Sequence, residues 1–356
     1  VVIGYGSIRT ADVTSAVVSV KPESYTQGSV RDIGQLIQGK VAGLIINTTS
    51  GDPSGSSSIR LRGNTTLHGT STNPLILIDG VPGDFNTVSP DDIESIDVLK
   101  DGSAAAIYGT RGTNGVIIIT TKRAHANIRS HVEYSHYLGT QAIRKKTDVL
   151  DADDYRRLIA EGAIGASHDY GGSTNWLDEI SRTPLIQNHN LTIKGGNQQT
   201  NYLLSLMYNN SEGIFKKSYR ERLSARADVN HSMFDGVVQL NVGILSRNDN
   251  SSSFSNNIFR LVNQYHPTIP VKDDDGKWYE AGIFEVENPV ARIMEQDNSS
   301  SSLFNRINGT VTINPIKGLS LKGLMSFSKY HQQGGWYETQ NHISTVRDGR
   351  KGAASV

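Results

Sequence analysis

The sequence predicts a mixed α/β unit over residues 1–125, followed over 126–356 by antiparallel strands of a transmembrane β-barrel. Three observations carry this. Strand and turn signals are dense up to Lys122, and beyond it long segments alternate between apolar and polar residues. The composition is only 36% hydrophobic, with 35 glycines and abundant Asn, Ser and Thr, as suits a strand-rich protein with one polar face.

In the first unit, Ala11–Val20 can form a strand. Ser29–Val41 reads as a helix, because Val30, Ile33, Ile37 and Val41 recur at helical spacing and Gly43 follows. Leu44–Thr48 and Ile59–Arg62 are short strands around a Gly/Ser/Pro loop, and Asn64–Asn73 is a polar loop carrying His68. Leu75–Ile78 is an apolar strand stopped by Asp79-Gly80 and Pro82. Ser89 can cap a short helix with Pro90 at its first position and Asp92 closing a capping box. Ile96–Lys100 alternates like a strand. Ser103 can cap a second short helix ending at Gly109, and Val116–Thr121 is a β-branched run typical of a buried strand.

In the second unit, Tyr219–Asn230 shows the alternation most clearly. Tyr219, Leu223, Ala225, Ala227 and Val229 share one face; Arg220, Arg222, Ser224, Arg226, Asp228 and Asn230 share the other. Glu221 is the exception on the apolar face, a position suited to the membrane interface. Seven strands are expected, at 128–137, 186–194, 200–210, 219–230, 236–247, 303–314 and 318–330. Connections after the second, fourth and sixth are short, whereas Leu138–Leu185 and Asn248–Ser302 are very long. Short turns on one side and long loops on the other match an outer-membrane barrel. Seven strands cannot close around so large a unit, and open edges are not viable in lipid. The expectation is therefore an N-terminal third of a longer polypeptide, completed by further barrel strands. The opening VVIGYG, with neither Met nor signal segment, reads as a mature or trimmed start.

Balanced charge, 35 basic against 35 acidic residues, gives no nucleic-acid footprint. The absence of cysteine excludes disulfide scaffolds and thiolate metal sites. Gly51–Ser58 lacks the Gly-Lys-Ser/Thr ending of a phosphate loop, and Gly109–Gly115 precedes a strand where a dinucleotide motif needs a helix. Asp273, Asp275 and Gly276 resemble part of a calcium loop, but an Asp-Gly hairpin tip explains them more simply. Asp151, Asp153 and Asp154 read as a capped helix start, not an acid/base pair. No catalytic group, metal or cofactor is assigned.

Asn73–Pro82 (NPLILIDGVP) with Asp91–Lys122 resembles the plug domain of TonB-dependent outer-membrane receptors. Ile37–Leu44 (IQGKVAGL), Ile59–Leu67 (IRLRGNTTL) and the opening VVIGYG are similar to the SusC/RagA-like branch in particular. The resemblance implies a plug inside a barrel of about 22 strands. It also implies TonB-driven import of oligosaccharides or oligopeptides across the bacterial outer membrane, and a SusD-like surface lipoprotein as lid. On it, Val1, Val2 and Ile3 would be the edge of the TonB-interacting segment. The nearest alternative is a receptor for a siderophore or cobalamin. One of another class is a secreted all-β carbohydrate-binding protein, against which the one-sided alternation speaks.

Candidate substrate-facing residues are Asn64, His68, Asp84 and Phe85 in polar plug loops, and Trp176 in the first long loop, with Trp278 and Tyr279 as further loop aromatics. Arg220, Arg222 and Arg226 are expected to project into the lumen and pair with the plug carboxylates Asp91, Asp92, Glu94 and Asp97.

Overall fold

The structure is a computed structural model. It describes residues 2–3, 6–7, 17–25, 30, 32–48, 51–63, 73–100, 106–124, 126–254, 257–282 and 287–356, with backbone alone at 2–3, 6–7 and 106–107. Strands β1 (Val2–Ile3) and β2 (Gly6–Ser7) pair with each other at the start. The plug is then built from β3 (Val17–Val20), β4 (Leu44–Thr48), β5 (Ser57–Leu61), β6 (Leu75–Ile78), β7 (Val81–Pro82), β8 (Ile93–Leu99) and β9 (Val116–Thr121).

A five-stranded sheet runs β3-β8-β9-β6-β7, with β6 and β9 parallel and the other pairs antiparallel. Strands β4 and β5 form a separate antiparallel pair. The run Val116–Ile119 buries both faces of β9, which is why it reads as continuous apolar sequence and not as an alternation. Ile117 and Ile119 pack with Ile33, Ile37, Ile93 and Ile96, whereas Val116 and Ile118 pack with Leu77 and Leu99.

Local chemistry sets the turns. Asp79 and Gly80 both take positive φ, 52° and 86°, the conformation that Asp-Gly favours in a two-residue hairpin. Gly115 has φ 88°, and a Cβ there would stand 2.2 Å from Cδ2 of Leu61, so glycine is required on two counts.

Three local expectations are corrected. The helix predicted over Ser29–Val41 is only Ile33–Ile37: Asp32 caps it by accepting from the Gln35 N–H at 3.2 Å, and Gln38 leaves helical geometry. Val41 is buried all the same, from the following turn. Ser89 caps a single 3-10 turn, Pro90–Asp92, and Asp92 turns inward toward the wall, forming no capping box. The second short helix is a 3-10 segment, Ala106–Gly112, broken at Gly109; its expected cap, Ser103, lies outside the described residues.

The wall comprises β10 (His131–Thr140), β11 (Leu185–Gly196), β12 (Thr200–Glu212), β13 (Tyr219–Met233), β14 (Val238–Ser252), β15 (Gln296–Ile316), β16 (Leu319–Glu338) and β17 (Ala353–Ser355). These form one antiparallel sheet in sequence order. The seven expected strands are present, and the short β17, pairing with the outer end of β16, is the eighth. Outward faces carry Leu204, Leu206, Leu223, Val229, Val242 and Ile244, all exposed, while the opposite face meets the plug or the lumen. Glu221 lies at the outer end of that apolar face, cross-paired with Asn210 and Asn250 and accepting from the Tyr208 hydroxyl at 3.0 Å. On β16 the apolar outward residues Leu321, Met325 and Phe327 give way to Lys329, His331 and Gln333.

At the long-loop end, the helices Trp176–Ile180, Ile258–Gln264 and Pro289–Met294 share a core of their own with Phe215 and Ile269. A Cβ on Gly172 would stand 2.6 Å from the backbone of Pro270, so two long loops pack backbone to backbone there.

Candidate functional site

The plug meets the wall along a polar seam, besides apolar contacts at Leu245 and Phe304. At its centre Arg226, 8% exposed, projects inward from β13. Its Nη2 donates to the Thr121 hydroxyl at 2.6 Å and to the Lys122 carbonyl at 2.9 Å. The Thr121 hydroxyl in turn donates to Asp79 Oδ2 at 2.7 Å, and the Thr121 N–H donates to Asp79 Oδ1 at 3.1 Å. The same guanidinium lies 3.9 Å from Asp92 Oδ1 and 3.9 Å from Asp228 Oδ2. Burial pushes the Asp92 carboxyl above the usual carboxylate range, and Arg226 opposes that shift. One wall arginine thus ties together the end of β9, the β6–β7 turn and the Pro90–Asp92 turn.

Neighbouring contacts extend the seam. Asn188 of β11 donates to Asp91 Oδ2 at 3.0 Å, and the Ser89 hydroxyl donates to the Met207 sulfur at 2.8 Å. Above these, between plug and wall, lies a cavity of about 390 Å³ lined by Tyr25, Tyr137, Asn209, Ser211, Arg220 and Arg222 among others. A second, of about 360 Å³, is bordered by Glu94, Lys122, Glu133 and Lys194.

The expected pairing of lumen arginines with plug carboxylates is corrected in part. Arg226 reaches Asp92, but Arg220 and Arg222 donate to Asp249 of β14, at 3.2 and 2.6 Å. A wall carboxylate one strand away is already in reach and accepts from both, and among the described residues Arg220 donates to the plug only at the Asn86 amide oxygen, at 3.5 Å. Glu94 is exposed, and Asp97, 2% exposed, is enclosed in the plug sheet opposite Ser19 and Ile118. Asp249, Arg247, Thr121 and Asp79 were not anticipated. Carrying the β14 alternation past residue 247 to its end at Ser252 would have placed Asp249 on the lumen face.

Of the substrate-facing candidates, Asn64 and His68 lie outside the described residues, as does Val1 of the terminal segment. Asp84 is exposed, its Oδ1 accepting from the Asn86 N–H at 2.7 Å. Phe85 is a correction: it is 5% exposed and packs in the plug core against Gly34. Trp176 is another, at 3% exposure; its Nε1 donates to the His266 carbonyl at 3.1 Å and its ring meets Tyr265 edge-on. A ring enclosed on all sides offers no face to a sugar. Trp278 is half-buried, donating to Glu295 Oε1 at 2.7 Å with Lys272 Nζ 4.6 Å from its ring centre. Asp273 to Lys277 form the hairpin tip, with the Lys277 N–H donating to Asp273 Oδ1 at 2.8 Å.

An α/β unit seated on the polar face of an outward-apolar, sequentially ordered antiparallel sheet is the arrangement of a plug against part of an outer-membrane β-barrel wall, whose eight described strands do not close on themselves. Residues 9–116 match the model of the TonB-dependent receptor plug domain. The TonB-dependent receptor SusC of Bacteroides thetaiotaomicron is 32% identical over 336 residues, spanning 90% of this chain and 33% of SusC. The TonB-dependent receptor P3 of Formosa agariphila is 30% identical over 352 residues, 95% of this chain and 34% of P3. Among solved structures, the RagAB peptide importer in its open-open state superposes with a TM-score of 0.82 at 24% identity, over 95% of this chain and 43% of that one, a likeness of fold. The chain spans about a third of the length of the curated relatives it matches. The chain thus carries a TonB-dependent receptor plug domain followed by wall strands similar to those of SusC, the architecture of a bacterial outer-membrane receptor.

Proposed function

We propose that this chain provides the plug, residues 1–125, and part of the barrel wall, residues 126–356, of a TonB-dependent importer of oligosaccharides or oligopeptides. The observation that carries the reading is the seam at Arg226. It fixes the C-terminal part of the plug to the wall, while β1 and β2 pair only with each other among the described strands. In this reading substrate binds on the long-loop side, and TonB pulls the segment that includes Val1, Val2 and Ile3. The N-terminal part of the plug is displaced, and β9 stays tethered. A SusD-like lipoprotein closes the outer face. The function assigns no catalytic residue, metal or cofactor.

Siderophore uptake is less well supported. The Rhizobactin receptor of Rhizobium meliloti matches only 34% of this chain, whereas SusC matches 90%. Growth and uptake on defined glycans and peptides, comparing a deletion strain with its complement and with a strain lacking TonB, tests the proposal. Uptake of ferric chelates with no glycan or peptide phenotype would reject it. Co-purification of a surface lipoprotein tests the partner.

A further inference from the structure

Toward the long-loop end of the wall, four arginines crowd the lumen face: Arg220 and Arg222 of β13, Arg247 of β14 and Arg306 of β15. A single wall carboxylate, Asp249, serves the first three, with Nε atoms at 3.2, 2.6 and 2.7 Å. Arg247 Nε reaches Asp249 without hydrogen-bond alignment, and its Nη1 is buried without an acceptor among the described residues. Arg306 donates from Nη2 to the Pro82 carbonyl at 3.1 Å, and its Nε is likewise buried without an acceptor. The guanidinium groups of Arg247 and Arg306 both lie over the ring of Phe304, whose centre is 5.4 and 5.3 Å from their central carbons. Plug carboxylates act on them only through space, Asp84 on both and Asp79 on Arg306.

Buried guanidinium groups ordinarily have their donors satisfied, because an unpaired buried charge is costly. Here positive charge exceeds negative, and the free donors come from adjacent strands beside one aromatic ring. Arg220 and Arg222 border the 390 Å³ cavity that separates plug from wall, so the cluster adjoins open space. Resting on the importer reading above, we propose that this cluster binds an anionic group, carboxylate or sulfate, carried by the substrate. Its oxygens would complete Arg247 and Arg306, whose planar forks suit such groups. The substrate class is therefore an acidic oligosaccharide or acidic peptide.

The test is calorimetric titration of the full-length protein in detergent with matched probes. Trigalacturonate is compared with maltotriose, and a tetraglutamate peptide with tetraglutamine; the first pair reports a sugar acid and the second a peptide acid. At least one acidic probe should bind about tenfold or more tighter than its neutral partner, as charge-assisted pairing requires. That preference should shrink with added salt, vanish in the R247Q/R306Q double variant and persist in R247K/R306K. Equal binding within both pairs, or a preference that survives R247Q/R306Q, overturns the proposal. Binding in detergent needs no TonB. Acid-selective binding without uptake in cells would therefore reject the importer reading and leave this site standing.

Discussion

Arg226, on a wall strand, donates to the hydroxyl of Thr121, the last residue of the plug's last strand, at 2.6 Å. The contact joins two units at the point where the chain passes from one to the other.

Replacing Arg226 with alanine should release the plug's closing strand. The variant leaves Asp92 buried without its cation, a loss on the order of 3–5 kcal/mol for a broken buried pair. Single-channel recordings should show raised leak conductance, and limited proteolysis should cut the plug faster. Arg220→Gln should do much less, since its principal partner is Asp249 of the wall itself.

Gly115→Ala should destabilise the plug. The positive φ and the encroachment on Leu61 act together, at roughly 1–3 kcal/mol. A lower temperature for the plug transition in calorimetry checks this; Gly51→Ala, with open space around its Cβ position, is the matched control.

Within the external loops, Glu280 is pushed up to about 7 by burial, with Glu287 adding to the effect. A carboxyl whose pKa is raised on folding stabilises below its unfolded value near 4.5, and that contribution fades as pH rises through 7. The loop assembly should thus resist protease better at pH 5 than at pH 8. Glu280→Gln should flatten the difference, and a profile unchanged by that substitution would sink the assignment. Trp176→Ala in the same core should cost about 3–5 kcal/mol of loop stability at any pH, whereas a mere sugar platform would lose affinity only.

A disulfide between Ser89→Cys and Met207→Cys would lock the plug's Pro90–Asp92 turn to β12. Transport should survive it if, as proposed, the part of the plug that moves lies nearer the N-terminus. A bridge from the first plug strand to the wall should abolish transport; loss of uptake in both would refute the tether.

Much of this was legible in the sequence because period-two alternation is a local property. Arg226 is identifiable as a lumen-facing cation from its neighbours Ala225 and Ala227 alone. Its partners were not, since Thr121 and Asp79 arrive through plug topology and Asp92 through a turn whose inward direction no local rule sets. Arg220 and Arg222 show the limit from the other side: their facing was right, but Asp249 lies 27 residues beyond Arg222 and is reached only by register. Trp176 was misjudged because its burial depends on His266 and Tyr265, about 90 residues away, and a long loop gives no hint that it folds upon another.

The length of β16 has a mechanical consequence. Its 20 residues measure about 65 Å along the strand, or about 50 Å of height at a tilt near 40°, against a hydrocarbon layer of about 30 Å. The change from Phe327 to Lys329 and His331 marks where lipid ends, so the final turns of the β15–β16 pair stand in water as a stiff palisade. On the importer reading, molecules approaching from this side would meet a hydrogen-bonded fence first, and entry would be steered over its rim.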